Sequence, residues 1–256
     1  MITEVSDIGS NALRVVISTK GKGDDPPIGP VFPGQVVHLH GPALKAPMNV
    51  TVSSPQTQND DATITLHCMV DANTETLQAK WKEAGAEIKV RGPVTEPRLK
   101  GVKRAIAVFS ETIRHGWQSL APLVPLLKSY LAGRTEGLPE TLFAYVVIRD
   151  VDSYRWLMAG FEDEYRGKPL PDGVRLAVHL QGGLRRAAIR LGTALEESFT
   201  WADAPWPDFK EVPEPDSKDH PYTLVVAGSA ATWRVVLRAT AARGADFCRL
   251  HTNSYG

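Results

Sequence analysis

Asp150 and Asp152 stand two residues apart, directly after the apolar run Tyr145–Ile148. Paired carboxylates at a strand end are donors for a divalent cation or a ribose hydroxyl. Two further turns suit an anion. HLQGGLRR (179–186) offers Gly182 and Gly183, with Arg185 and Arg186 in the first turn of the helix that follows. VVAGSAAT (225–232) offers Gly228, with Ser229 placed to cap a helix. Unpaired N–H groups and the helix dipole favour anions at such termini. The expected ligand-binding residues are therefore Asp150, Asp152, Gly182, Gly183, Arg185, Gly228 and Ser229. Each has a plainer use. Asp152 or Ser153 can cap a helix over 154–165, and the glycines can simply make turns. Neither turn is GxGxxG or GxxxxGK[ST], so neither a standard dinucleotide fingerprint nor a P-loop is present.

Other chemistry-bearing sets are less organised. His38 and His40 in VVHLH share one face of a strand, a spacing that can chelate a metal. His67 lies on another expected strand, and no third ligand is evident nearby. Ser229 in AGSAA lacks the second glycine of a nucleophile elbow. His220 or His251 as base and Asp203 or Asp246 as orienter have no supporting spacing. Arg185, Arg186 and Arg190 fall on one expected helix; Arg234, Arg238 and Arg243 fall on another. These arginines could meet phosphates. Pairing with acids such as Glu196 and Glu197 on a solvated face is the plainer use.

Composition narrows the class. Lys+Arg and Asp+Glu both number 29, so a general nucleic-acid binder is not favoured, although a local basic face is not excluded. The two cysteines, Cys68 and Cys248, form no CxxC or Cys/His cluster, which argues against structural zinc. No run of about 18 apolar residues exists, so no membrane span is expected. The N-terminus lacks a basic segment followed by an apolar one and does not read as a secretory signal. A cytoplasmic chain with free thiols is expected.

The elements that position these residues follow from periodicity. Residues 1–98 read as a β-rich domain or subdomain with strands over 12–19, 35–40, 49–53, 62–70 and 77–81, and a weaker one over 87–90. In ATITLHCMV (62–70) apolar Ile64, Leu66 and Cys68 alternate with Thr63, Thr65 and His67. Residues 99–140 read as a helical connection: Val102, Ala105, Ile106, Phe109 and Ile113 form one stripe, and Pro122 and Pro125 imply a helix start or kink near Ser119. Residues 141–256 read as an α/β Rossmann-like domain, with strands over 145–148, 174–180 and 224–227 each leading into a helix. The fold class is α/β, or α+β overall: a β-rich first half, then a Rossmann-like βα second half. Residues 199–221 are irregular and proline-rich, with Trp201 and Trp206 as candidate anchors against the sheet or a partner chain.

The final strand–GSAAT–helix–strand unit resembles the closing unit of Rossmann-like sensor domains of bacterial defence systems, a likeness of fold. The expected function is a binding or sensor module for a small anionic ligand, a nucleotide among the candidates, held at strand carboxyl ends. The alternatives are a subunit of a protein or ribonucleoprotein assembly, with a protein partner or second copy on the tryptophans, and a metal-dependent enzyme on a phosphorylated substrate. The cofactor is not specified by any motif.

Overall fold

The computed structural model describes residues 2–8, 12–20, 28–42, 44–54, 63–69, 88–95, 99–111, 117–161, 163–215, 221–244 and 246–250. The expected strand over 77–81, His220 and His251 lie outside them. The chain divides into two compact units. The first comprises 1–97, 121–134 and 156–161; the second comprises 98–120, 135–155 and 162–256.

In the first unit, β1 (Ile2–Asp7), β2 (Ala12–Ser18) and β5 (Thr63–Met69) form one antiparallel sheet. Strands β4 (Met48–Thr51), β3 (Val36–His40) and β6 (Lys89–Arg91) form a second. Alternation turns Leu13, Val15, Ile17, Ile64 and Leu66 of one sheet and Val37, Leu39 and Val50 of the other into a common core. Strand β1 escapes the sequence reading because TEVSD carries no apolar alternation; its burial is only partial. Helix α1 (Leu123–Leu131) also belongs to this unit and is buried at every position. It starts one residue after Pro122, and Pro125 sits in its first turn, where a missing N–H costs nothing.

One expectation is corrected here. Residues 104–110, read as part of a helix, form strand β7 (Arg104–Ser110). The stripe of Ala105, Ile106 and Phe109 fits a helical period, but Ala105–Ser110 is buried without interruption. A strand covered on both faces has no polar positions to reveal a period of two.

The second unit is a six-stranded parallel sheet in the order β10-β9-β8-β7-β11-β12. Its other strands are β8 (Thr141–Ile148), β9 (Val174–Leu180), β10 (Thr200–Ala202), β11 (Tyr222–Ala227) and β12 (Cys248–Leu250). The three strands expected from sequence share this sheet, with β7 inserted between β8 and β11. Helices α2 (Val151–Ala159), α3 (Asp163–Arg166), α4 (Arg186–Ile189), α5 (Ala194–Glu197) and α6 (Ala230–Ala241) follow their strands.

The irregular segment after β10 folds onto its own sheet. Phe209 and Val212 are fully buried against Ile106, Val108, Tyr145, Leu224 and Val226. Phe209 has φ 59°, unusual for a residue with a side chain, and is held there by burial and by Arg243. The Arg243 guanidinium donates to the Phe209 carbonyl, to the Val212 carbonyl at 2.9 Å and to Glu214 at 2.6 Å, and it stacks over Phe247. Arg243 lies beyond the end of α6, so its expected place on a phosphate-facing helix is corrected to a clamp on this segment. Trp201 packs against Tyr154 and Phe199 within the unit, while Trp206 is half-buried. The anchors on the sheet are thus Phe209 and Val212.

His67 on β5 is buried with neither ring nitrogen bonded among the described residues, and its ring meets Trp156 edge-on at 5.6 Å. Burial, then the charges of Lys128 and Arg14, push its pKa well below 6.5. A depressed folded pKa means the unfolded chain binds the proton more readily, so this stability is present above about pH 6.5 and falls as the pH drops. Urea unfolding from pH 8 to pH 5 should show a steeper loss for the wild type than for His67→Leu. Separately, Arg243→Ala should cost about 1–3 kcal/mol by leaving the part-buried Val212 carbonyl without its Arg243 donor and the Phe209 carbonyl with the Val212 amide alone, read as a lower urea midpoint at unchanged slope.

Candidate functional site at the carboxyl edge of the parallel sheet

The chain runs from β7 outward through β8, β9 and β10, then returns to place β11 on the opposite side of β7. The reversal lies between β7 and β11. In open parallel sheets a ligand crevice forms beyond the carboxyl ends at this reversal. Phe109 pairs with Ala227, so Ser110–Glu111 and Gly228–Ser229 leave the sheet side by side.

The Gly228–Ser229 turn starts α6, the twelve-residue helix. Ser229 is extended and its Oγ accepts from the Thr232 amide at 3.3 Å. It is a helix cap. The Ala230 and Ala231 amides have no acceptor within the helix. Gly228 is not in the positive-φ region. A Cβ there would meet Thr232 Oγ1 at 2.8 Å and its Cβ and Cγ2 at 3.0 Å. Glycine is required because buried Thr232 sits against the turn.

At the neighbouring strand, Asp150 caps α2: its Oδ1 accepts from the Asp152 amide at 2.8 Å. The helix therefore begins at Val151, three residues before the start expected from sequence, and ends at Ala159. Asp152 lies 3.4 Å from Arg155 on the exposed face. The two carboxylates have separate duties, and no group of three His, Cys, Asp or Glu residues suited to a metal occurs among the described residues. His38 bonds Asn49 at 3.0 Å, while His67 lies in the other sheet.

Glu111 was missed because the apolar run before it was read as helix. Read as a strand, AIAVFS places Glu111 at a strand end, just as Asp150 stands after β8. Glu111 is 8% exposed, and its Oε2 accepts from the Arg149 amide at 2.7 Å and the Asp150 amide at 3.0 Å. Its own amide donates to the Val147 carbonyl at 3.0 Å.

Gly182 and Gly183 follow β9, which is separated from β11 by β8 and β7. Three strand spacings amount to about 14 Å, too far for one phosphate to use both turns. Both glycines have positive φ, 68° and 78°, and both are exposed, as a tight turn requires. Arg185 is exposed at the start of the four-residue α4 and makes no side-chain cap. Arg186 and Arg190 lie over the Trp201 ring at 5.4 and 6.0 Å, and Arg190 pairs with Glu197. Arg234 and Arg238 are exposed on α6.

The loop carrying α5 is held by a buried carboxylate. Glu196 accepts from the Tyr154 hydroxyl, from the Leu191 amide at 2.9 Å and from the Thr193 amide at 2.9 Å. Burial alone raises its pKa, but these bonds outweigh burial and hold it below the ordinary carboxylate value.

Three solved structures show what this arrangement is similar to. A cytochrome P450 reductase from Amycolatopsis shares 16% identity at a TM-score of 0.56, over 99% of this chain and 68% of that one. Phthalate dioxygenase reductase shares 14% at 0.54, over 100% and 67%. Ferredoxin-NADP+ reductase from Plasmodium falciparum shares 11% at 0.55, over 99% and 94%. The fold is ferredoxin reductase-like. No protein-family profile and no curated protein sequence matches this chain. Among the described residues, no helix is long and apolar enough to cross a membrane.

A double-mutant cycle tests why Gly228 is glycine. Gly228→Ala should cost about 1–3 kcal/mol by overpacking. Thr232→Ala in the same chain should return part of that cost, giving a coupling energy above about 0.5 kcal/mol. Additive effects on the urea midpoint would contradict the crowding argument.

Proposed function

We propose that this chain is a nucleotide-binding module that takes its ligand at the carboxyl edge of the parallel sheet, between β7 and β11. One observation carries the reading: the strand order reverses there, beside a glycine turn that opens a long helix whose first amides have no acceptor within the helix. Gly228 and Ser229 hold the ligand's phosphate in this reading, and Asp150 stands at the end of the adjacent strand. Gly182, Gly183 and Arg185 fall outside it. The chain belongs in the cytoplasm on this reading, where free Cys68 and Cys248 stay reduced.

A second reading is electron transfer through a flavin and a pyridine nucleotide. It is favoured by a structural likeness that spans both units. Phthalate dioxygenase reductase is described as a modular structure for electron transfer from pyridine nucleotides, and a flavohemoglobin with a similar fold contains bound FAD and heme, although this chain covers 59% of it. The residues present fit such a dinucleotide only in part. The turn after β7 opens with Ser110 and Glu111, where a pyrophosphate cradle needs glycine and free amides. No reaction step is assigned on this basis.

Isothermal titration with AMP, NAD+ and FAD tests both readings. The module reading expects AMP to bind and Gly228→Asp, at a stability cost at least that of Gly228→Ala, to abolish binding in protein that remains folded. Unchanged AMP affinity in a folded Gly228→Asp protein would remove the site from this turn. Visible flavin absorbance copurifying with the chain would favour the second reading.

A further inference from the structure

In a sheet of this topology the turn after the first strand ordinarily brings glycine backbone to a pyrophosphate. Here the same turn carries a carboxylate. Glu111 is almost fully buried, and its Oε2 takes two amides at the end of β8, Arg149 at 2.7 Å and Asp150 at 3.0 Å. These are charge-assisted bonds, the stronger kind. The two amides at the end of β8 that could meet a ligand's anion are already satisfied from within the chain. The Asp150 carboxylate stands next to them, exposed.

We infer that Glu111 is a resident anion: its carboxylate fills the amide cradle at the end of β8 and so decides which part of a nucleotide the crevice accepts there. The inference rests on the nucleotide reading above for its ligand and deepens it. A phosphate beside Glu111 and Asp150 would meet like charge and, at the end of β8, two amides already taken. A neutral donor meets the opposite situation. A second carboxylate oxygen such as Glu111 Oε1 is an acceptor suited to a hydroxyl or amino group, such as those of a ribose or a nucleobase. The ligand class is therefore a nucleotide with its phosphate on the β11–α6 side and a neutral, donor-bearing part on the β7–β8 side. Glu111 acts as a specificity-determining residue, built by excluding the wrong charge.

The test uses the full chain labelled with nitrogen-15, with inorganic pyrophosphate and AMP as separate probes. In the wild type, pyrophosphate leaves the Arg149 and Asp150 amide resonances in place. In Glu111→Gly those amides are released, they shift on titration, and pyrophosphate affinity rises by about tenfold or more, as the loss of one opposing interaction of about 1.4 kcal/mol implies. Glu111→Gln keeps the length and an acceptor oxygen but not the charge, so it gives a smaller gain and covers the case in which the glycine variant does not fold. Wild-type Arg149 and Asp150 amides that shift with pyrophosphate would overturn the inference. So would a folded variant, glycine or glutamine, that gains no affinity. AMP reports on the underlying reading separately. If the Gly228 and Ser229 amides stay silent with AMP, the proposed site fails, while the pyrophosphate series still decides whether Glu111 occupies the cradle.

Discussion

Strand β7 is paired in parallel along both edges, to β8 and to β11, and buried along nearly its whole length. A strand in that position can carry no polar side chain in its interior, which accounts for the run Ala105–Phe109. Each buried Ile or Val there contributes about 1.5–3 kcal/mol by leaving water. Parallel pairing also forces every connection to cross from one end of the sheet to the other, so the turns gather at the carboxyl edge. Because the chain places β8 on one side of β7 and, after β10, returns to place β11 on the other, the crevice at the reversal opens beside it. The site residues on β8 and β11 owe their proximity to this one strand.

Two side chains of opposite charge then complete the unit from within. Arg243 gathers the Phe209 and Val212 carbonyls and the Glu214 carboxylate, giving backbone with no ladder partners of its own a set of donors. This lets an irregular, proline-rich segment cover one face of a sheet without regular structure. Glu111 does the converse at the strand ends, supplying an acceptor to two amides. In both cases one charged group with several partners satisfies backbone that would otherwise be costly to bury. The buried Glu196 follows the same logic in its own loop.

Much of the architecture was legible in the sequence because it depends on local pattern. The alternation in Ala12–Ser18 and Thr63–Met69, the β-branched runs of β8, β9 and β11, and the cap residue Ser229 each signal their element within a few residues. The α/β class and the placing of ligand candidates at strand ends follow from them. The fold agrees with that class, and Ser229 caps its helix as read, whereas the cap of α2 is Asp150 rather than Asp152 or Ser153. Gly182 and Gly183 were legible as a turn, since adjacent glycines supply positive φ wherever a chain must reverse.

What tertiary structure alone decided concerns features whose local pattern is ambiguous or absent. Arg104–Ser110 is apolar at nearly every position, so its period depends on what covers it, and only pairing on both edges made it a strand. The need for glycine at 228 comes from Thr232, a contact across a helix turn rather than a backbone preference. The 182–183 and 228–229 turns look alike in sequence, but strand order separates them by three strand spacings. Glu111 stands far in sequence from Arg149 and Asp150, and no local rule pairs a carboxylate with amides that a sheet register alone brings within reach.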